Sequence, residues 1–392
     1  MMNNDKNKII TKQQSILVRI TLSCTALFGK LTSLSKVINR KSPLPILSNF
    51  IFEVSGTNLH LTASDNENTL ETNLTLIDSD SDGSFAVQSH DFLESIKGIP
   101  EQPITLEVNL DTRMATIIYM NGRLSMPVES AEDFPDVMPM SPKASTISIP
   151  SNDLTESINR TLFAIGQDEI RPVMNGIYFD LTPNCLAIVA SDGHKLVRNR
   201  IFSIKSEIPA SFILPKKPAT LLKGLLVKDA ETEVTISIDS QHAQIDFGEG
   251  VLSCRLIEGH YPNYNSVIPQ NNPNMVYVNR LGLLSALKRV HPFANDASNL
   301  VRFRLENNVI RLETDDYDFS KTATESVMCE YGGSPMSIGF KGSAFIDVLS
   351  NLESEQVILK LADPSRAGVV VPAESNDDQE VLMLLMPMLI ND

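Results

Sequence analysis

Apolar residues fall at helical spacing at the same point in each third of the chain. Leu27, Leu31, Leu34 and Ile38 share one face of a predicted helix. Leu154, Ile158, Leu162 and Ile165 do the same, and so do Leu284, Leu287 and Val290. Each helix follows a short alternating stretch ("LVRITLS", "STISIPS", "MVYVN") that reads as a strand. Ser23, Ser151 or Asp153, and Asn279 stand where an N-cap oxygen would take the first free helical N–H groups. A predicted hairpin comes next in every third: "NFIFEVSGTNLHLTASD", "GIYFDLTPNCLAIVASD" and "VRFRLENNVIRLETDD". Apolar residues alternate there around Gly-Thr-Asn, Pro-Asn and Asn-Asn turns.

Each hairpin ends on an acid after Ser or Thr, at Asp65, Asp192 and Asp315. A second strand and helix follow, with Phe85, Phe212 and Ile338 at matching points, and a further strand pair closes the unit. One α+β unit of about 125 residues is therefore repeated three times, two helices over antiparallel sheets in each copy. Pro-rich stretches ("MPMSPKAS", "VIPQNNPN") place the boundaries, giving domains at 16–143, 144–273 and 274–392. Residues 1–15 are polar and read as a disordered tail.

Charge changes the picture through its distribution. The chain of 392 residues has a formal charge of −15, which by itself argues against a phosphate-rich partner. The six predicted helical segments run opposite to that total. Residues 25–41, 91–98, 153–165, 216–228, 282–291 and 341–350 hold thirteen Lys and Arg against five Asp and Glu. The bases include Lys30, Lys36, Arg40, Lys41, Arg160, Lys216, Lys217, Lys223, Lys228, Lys288 and Arg289. If these helices share a surface, that surface attracts phosphates without reading bases, through counterion release. Equally, Lys is common on the exposed face of any helix, and a modest surplus fits a solvated face.

The four cysteines, Cys24, Cys185, Cys254 and Cys329, form no CxxC pair. A zinc site or disulfide framework is not expected, and a reducing cytoplasm fits. The N-terminal "MMNNDKNKIITKQQ" has no apolar signal core, and no run of about 18 apolar residues occurs. No GxxxxGK[ST] loop is present and no cofactor is expected. Asp192, Gly193 and His194 stand side by side in "VASDGHKLVRNR", which raises a hydrolase reading with Asp192 and His194 as a catalytic pair. The acid recurs in the other repeats but Gly193 and His194 do not. A turn carboxylate accepting backbone N–H groups, with Gly193 at positive φ, explains that pattern more simply.

Taken in order, "SPLPILSNF" (42–50), "EDFPDV" (132–137), "MNGIYFD" (174–180), "ASDGHKL" (190–196), "GHYPNY" (259–264) and "LLMPM" (384–388) resemble the bacterial sliding clamp, the beta subunit of DNA polymerase III. The resemblance runs from about residue 16 to 390. It implies a non-catalytic, head-to-tail homodimeric ring with helices lining the hole and sheets outside. Such a ring would encircle duplex DNA and tether the replicative polymerase, the clamp loader and other proteins that carry a short clamp-binding peptide. The class-different alternative is the hydrolase using Asp192 and His194, and a third possibility is a stand-alone peptide-binding scaffold that never meets DNA.

The resemblance also implies sites. An apolar peptide cleft would be lined by Met174, Ser191, Gly193, His194, Leu196, Pro262, Val267, Ala367, Leu384, Leu385, Met386, Pro387 and Met388. Read alone, "LLMPMLI" is better explained as an ordinary buried C-terminal strand, and the resemblance reverses that preference. Leu124 and Met126 would meet Pro292 and Phe293 across the dimer, although plain core explains them equally. Gln167 and Arg171 would join the helical bases at the inner rim. Val173, "SRAG" at 365–368 and the terminal Asn391 and Asp392 depart from the family pattern.

Overall fold

The computed structural model describes residues 17–136, 139–227, 232–316, 318–374 and 376–390. The expected tail, 1–15, and Lys228 lie outside the described residues. Six α-helices occur among those described: α1 Cys24–Ser35, α2 Ser89–Lys97, α3 Ser151–Thr161, α4 Lys216–Leu225, α5 Arg280–Val290 and α6 Gly342–Ser350. Two fall in each repeat of the sequence, each directly after a strand. None is long and apolar enough to cross a membrane.

Capping shows why the helices begin where they do. Ser23 accepts from Ala26 N, and Asn279 accepts from Gly282 N. α3 differs from expectation, because its N-cap is Pro150 and no side chain caps it. Ser151 instead donates its hydroxyl to Val227 O, and Asp153 accepts from Gln379 Nε2. α1 stops at Ser35, so Ile38, Arg40 and Lys41 follow the helix rather than extend it. Leu27, Leu31 and Leu34 are fully buried, as are Leu154, Ile158 and Leu287.

The chain divides into two compact units. The first takes residues through Pro139 together with Gln244–Cys254. One of its sheets orders five strands around Leu17–Ser23 and Pro103–Asn109, and ends on the edge strand Gly122–Pro127. Another pairs Asn49–Ser55 with both Asn58–Ser64 and Gly83–Gln88, and Val251–Arg255 lies beside Asn68–Thr75. Phe52 stacks on Phe85 with ring centroids 5.1 Å apart beneath Phe92 of α2.

The second unit takes Met140–Ala243 and Arg255 onward. Its main feature is one antiparallel sheet of twelve strands. Lys195–Ile201, from the middle third of the sequence, pairs with Gln379–Leu385 near the C-terminus over seven rungs, Leu196 opposite Leu384. The strand Leu186–Ser191 is buried at every position, because both of its faces are covered. This pairing positions the site.

Candidate peptide groove and cationic surfaces

The Asp192 turn comes first, because it shapes what surrounds it. Asp192 Oδ1 accepts from His194 N and Lys195 N, both at 2.9 Å, and Oδ2 accepts from Lys195 Nζ at 2.7 Å. Burial acts to raise this carboxyl's pKa, but the bonds from Lys195 and from the His194 and Lys195 backbone outweigh it and hold the group below its ordinary value. With its oxygens engaged this way the carboxylate orients no imidazole, so the catalytic pair does not form. Gly193 sits at φ +89°, where an L side chain is strained. Asp65 makes the same turn, accepting from Glu67 N and Asn68 N. In the third repeat the turn-former is Asp316, which accepts from Asp318 N and Phe319 N, and not Asp315 one residue earlier.

Beside this turn opens a groove of about 330 Å³. Of the residues named for the cleft, Met174, Ser191, Gly193, Leu196, Pro262, Val267, Leu384 and Met386 line it. Its floor is an apolar cluster in which Leu196, Leu384 and Ala367 pack with Tyr264, Ile268 and Val189. Ala367 therefore lies beneath the groove rather than on its surface. The rim stays accessible, with Val267 54% and Met386 43% exposed.

Other residues named for the cleft stand elsewhere. Leu385 is buried one position along the strand from Leu384, so the two side chains point to opposite faces of the sheet. Met388 N donates to Gly339 O, which ties that segment to the strand Met336–Lys341. Pro387 lies between and is not part of the lining. His194 contributes its backbone, the carbonyl accepting from Met386 N at 2.8 Å, while its side chain is exposed and outside the lining.

Sequence reasoning missed Tyr261, Asn263, Tyr264 and Lys195, which also line the groove. Tyr261 stacks on Tyr178 at 4.7 Å, nearly parallel, and Tyr264 Oη donates to Asp180 Oδ2 at 2.8 Å. Burial pushes both the Tyr261 and Tyr264 hydroxyls up, so they stay protonated. The signal for both was in "GHYPNY", where each lies within two residues of Pro262.

The cationic residues divide into committed and uncommitted groups. Arg160 departs from expectation: its side chain is only 15% exposed and is held by Glu156 at 2.8 Å and Gln379 at 2.9 Å. Arg171 pairs with Asp168 at 2.9 Å and lines the groove. Lys30 bonds Glu249 at 2.6 Å, and Arg289 makes a forked pair with Glu325. Spacing along the chain could reveal Glu156 and Asp168, at i−4 and i−3, but not Gln379, Glu249 or Glu325, which arrive from distant sequence. Lys36, Arg40, Lys41, Gln167, Lys216 and Lys223 are exposed, and no carboxylate among the described residues lies within salt-bridge distance of Lys36, Lys41, Lys216 or Lys223. Lys217 and Lys288 complete the cations of α4 and α5.

Of the residues named for the dimer, Leu124 and Met126 are half-buried on the edge strand Gly122–Pro127, and Arg123 and Ser125 alternate outward. Pro292 is exposed and Phe293 is 42% exposed, in the short 3₁₀ turn after α5.

A three-repeat α+β chain with a preformed apolar groove between its middle and C-terminal strands is the architecture of a clamp subunit. Comparison with known proteins agrees over nearly the whole length. Models of the DNA polymerase III beta subunit match as its N-terminal domain over residues 18–139, its central domain over 148–263 and its C-terminal domain over 265–388. The beta sliding clamp of Pseudomonas aeruginosa is 28% identical over 370 residues, covering 93% of this chain and 99% of the relative. A crystal structure of the P. aeruginosa clamp bound to griselimycin is similar at TM-score 0.89 and 29% identity, and one from Bartonella birtlesii bound to griselimycin at 0.87 and 25%. Both cover 95% of this chain and all of the relative's. The chain belongs to the DNA polymerase III beta-subunit family and functions as a sliding clamp.

Proposed function

We propose that this chain closes as a head-to-tail homodimer around duplex DNA and presents the Leu196–Leu384 groove to short peptides of the replicative polymerase, the clamp loader and other DNA-processing proteins. Three repeats at 16–143, 144–273 and 274–392 form each half of the ring. Leu124 and Met126 of one copy meet Pro292 and Phe293 of the other, two different surfaces that close by rotation. The exposed cations Lys36, Arg40, Lys41, Lys216, Lys223 and Lys288, with Lys217 and Gln167, face the duplex. They attract phosphates without fixing register, so the clamp slides and topology supplies retention.

The observation that carries this reading is the groove. Its floor is apolar, its rim is open, and its walls come from the middle and C-terminal thirds of the sequence. Burying apolar area there contributes about 25 cal/mol per Å². The freezing of a flexible peptide offsets much of it, which leaves exchangeable affinity suited to partners that take turns. Met174 and Met386 adapt to different side chains. Griselimycin, bound by the two related clamps, is the probe we propose for this groove.

The test is retention on DNA. Loaded by a clamp loader with ATP onto a nicked circular plasmid, the protein should co-elute with DNA on gel filtration and be released when the circle is linearised. Lys216→Glu with Lys217→Glu should reduce retention and leave dimer mass unchanged. Equal retention on circular and linear DNA would refute encirclement. Griselimycin binding without any DNA retention would favour the scaffold.

A further inference from the structure

A second cavity lies against the same turn. It has a volume of about 480 Å³, and Asp192 and Lys195 line it together with Lys216, Lys223, Gln167 and Asn159. Its chemistry differs from that of the groove. Three lysines from two elements line it, with one lining carboxylate that Lys195 already occupies and with Asp347 of α6 in electrostatic reach of Lys195. Lys216 and Lys223 are seven residues apart on α4, about two turns and 10 Å along one face. α4 begins at Lys216 with no side-chain cap and no acid in its first turn, so its N-terminal N–H groups add positive potential. The Asn159 in its lining is half-buried. Phe163 supplies an apolar wall.

Lys195 is shared between the two cavities. Its side chain is 14% exposed, so its ammonium has few positions. Bonded to Asp192 at 2.7 Å, it completes the turn whose His194 carbonyl holds Met386 N at the groove rim. An anion in the second cavity offers the same ammonium a competing partner.

We infer that this cavity accepts a phosphate group, and that its occupancy weakens ligand binding in the groove by drawing Lys195 away from Asp192. The inference rests on the clamp reading above and adds a link between its DNA-facing and peptide-facing sides. The phosphate belongs either to a DNA backbone or to a free anion. When Lys195 leaves, Asp192 Oδ2 loses its cation and the 192–195 turn loosens at the segment that pins Met386. The effect is reciprocal, so a groove ligand weakens phosphate binding by the same factor.

The test uses full-length protein, fluorescently labelled griselimycin for the groove, and sodium pyrophosphate or a short duplex for the cavity, at constant ionic strength set with chloride. Saturating pyrophosphate should raise the Kd of griselimycin about 5-fold, in the usual range of coupling between sites. In Lys216→Glu/Lys223→Glu the Kd without anion should match wild type and the 5-fold change should vanish. A duplex that reproduces the effect identifies the backbone as the source, and an effect from pyrophosphate alone identifies a free anion. Pyrophosphate that binds calorimetrically but leaves the griselimycin Kd unchanged overturns the link. No calorimetric binding of either anion overturns the cavity as a site. Failure of griselimycin to bind even without anion would instead refute the groove reading itself, and the link with it.

Discussion

Asp192 offers a test in which two substitutions separate two physical contributions. Asp192→Asn keeps an oxygen at the Oδ1 position, so the acceptors for His194 N and Lys195 N survive. It removes the charge that pairs with Lys195 Nζ at 2.7 Å. Exposed pairs contribute about 0.2–1 kcal/mol, and breaking a fully buried one costs about 3–5. This pair is 14% and 23% exposed, which places the cost between, at about 1–2 kcal/mol. Asp192→Ala also strands two backbone donors, at about 1 kcal/mol each, for a total of about 3–4. In a unit of this size each kcal/mol lowers the unfolding midpoint by about 2–4 °C. Thermal melts followed by tyrosine absorbance should therefore order wild type above Asp192→Asn above Asp192→Ala.

The same residue sets a pH dependence. Its folded pKa lies below the ordinary 3.8, so its stabilisation is complete above the unfolded value. It is lost as pH falls through the lower, folded value. Asp192→Asn should flatten that part of the acid profile. Equal midpoints for the Asn and Ala variants would refute the turn argument, because Oδ1 would then contribute nothing. An Asn variant that melts like wild type would refute the ion-pair argument.

Gly193→Ala should cost about 1–2 kcal/mol, because φ +89° is unfavourable for an L residue and the new Cβ would meet the Arg171 guanidinium at 3.2 Å. Calorimetry should show weaker griselimycin binding by the variant, and unchanged binding would remove Gly193 from the groove wall. Arg160→Met should destabilise by about 2–3 kcal/mol, since Glu156 and Gln379 lose their partner in a site only 15% exposed. Retention on circular DNA should be unaffected at a temperature where the variant is folded, and a loss of retention would return Arg160 to the DNA-facing set.

The repeat and its α+β character were legible in the sequence because both rest on local rules. Helical spacing of Leu27, Leu31 and Leu34, caps at Ser23 and Asn279, and alternation around short turns depend on near neighbours alone. Gly193 and Asp192 belong here too, since an Asx turn closes within four residues. What lay beyond the sequence involved partners from far along the chain. Arg160 and Arg289 look alike as helical bases, yet Gln379 holds one and Glu325 the other. Leu384 and Leu385 are adjacent and equally apolar, but pairing with Lys195–Ile201 turns one toward the groove and the other away. A pattern along the chain can say that a residue is apolar or charged. Which face it presents, and whether its charge is already spent, depends on long-range register, and only the folded sheet decides that.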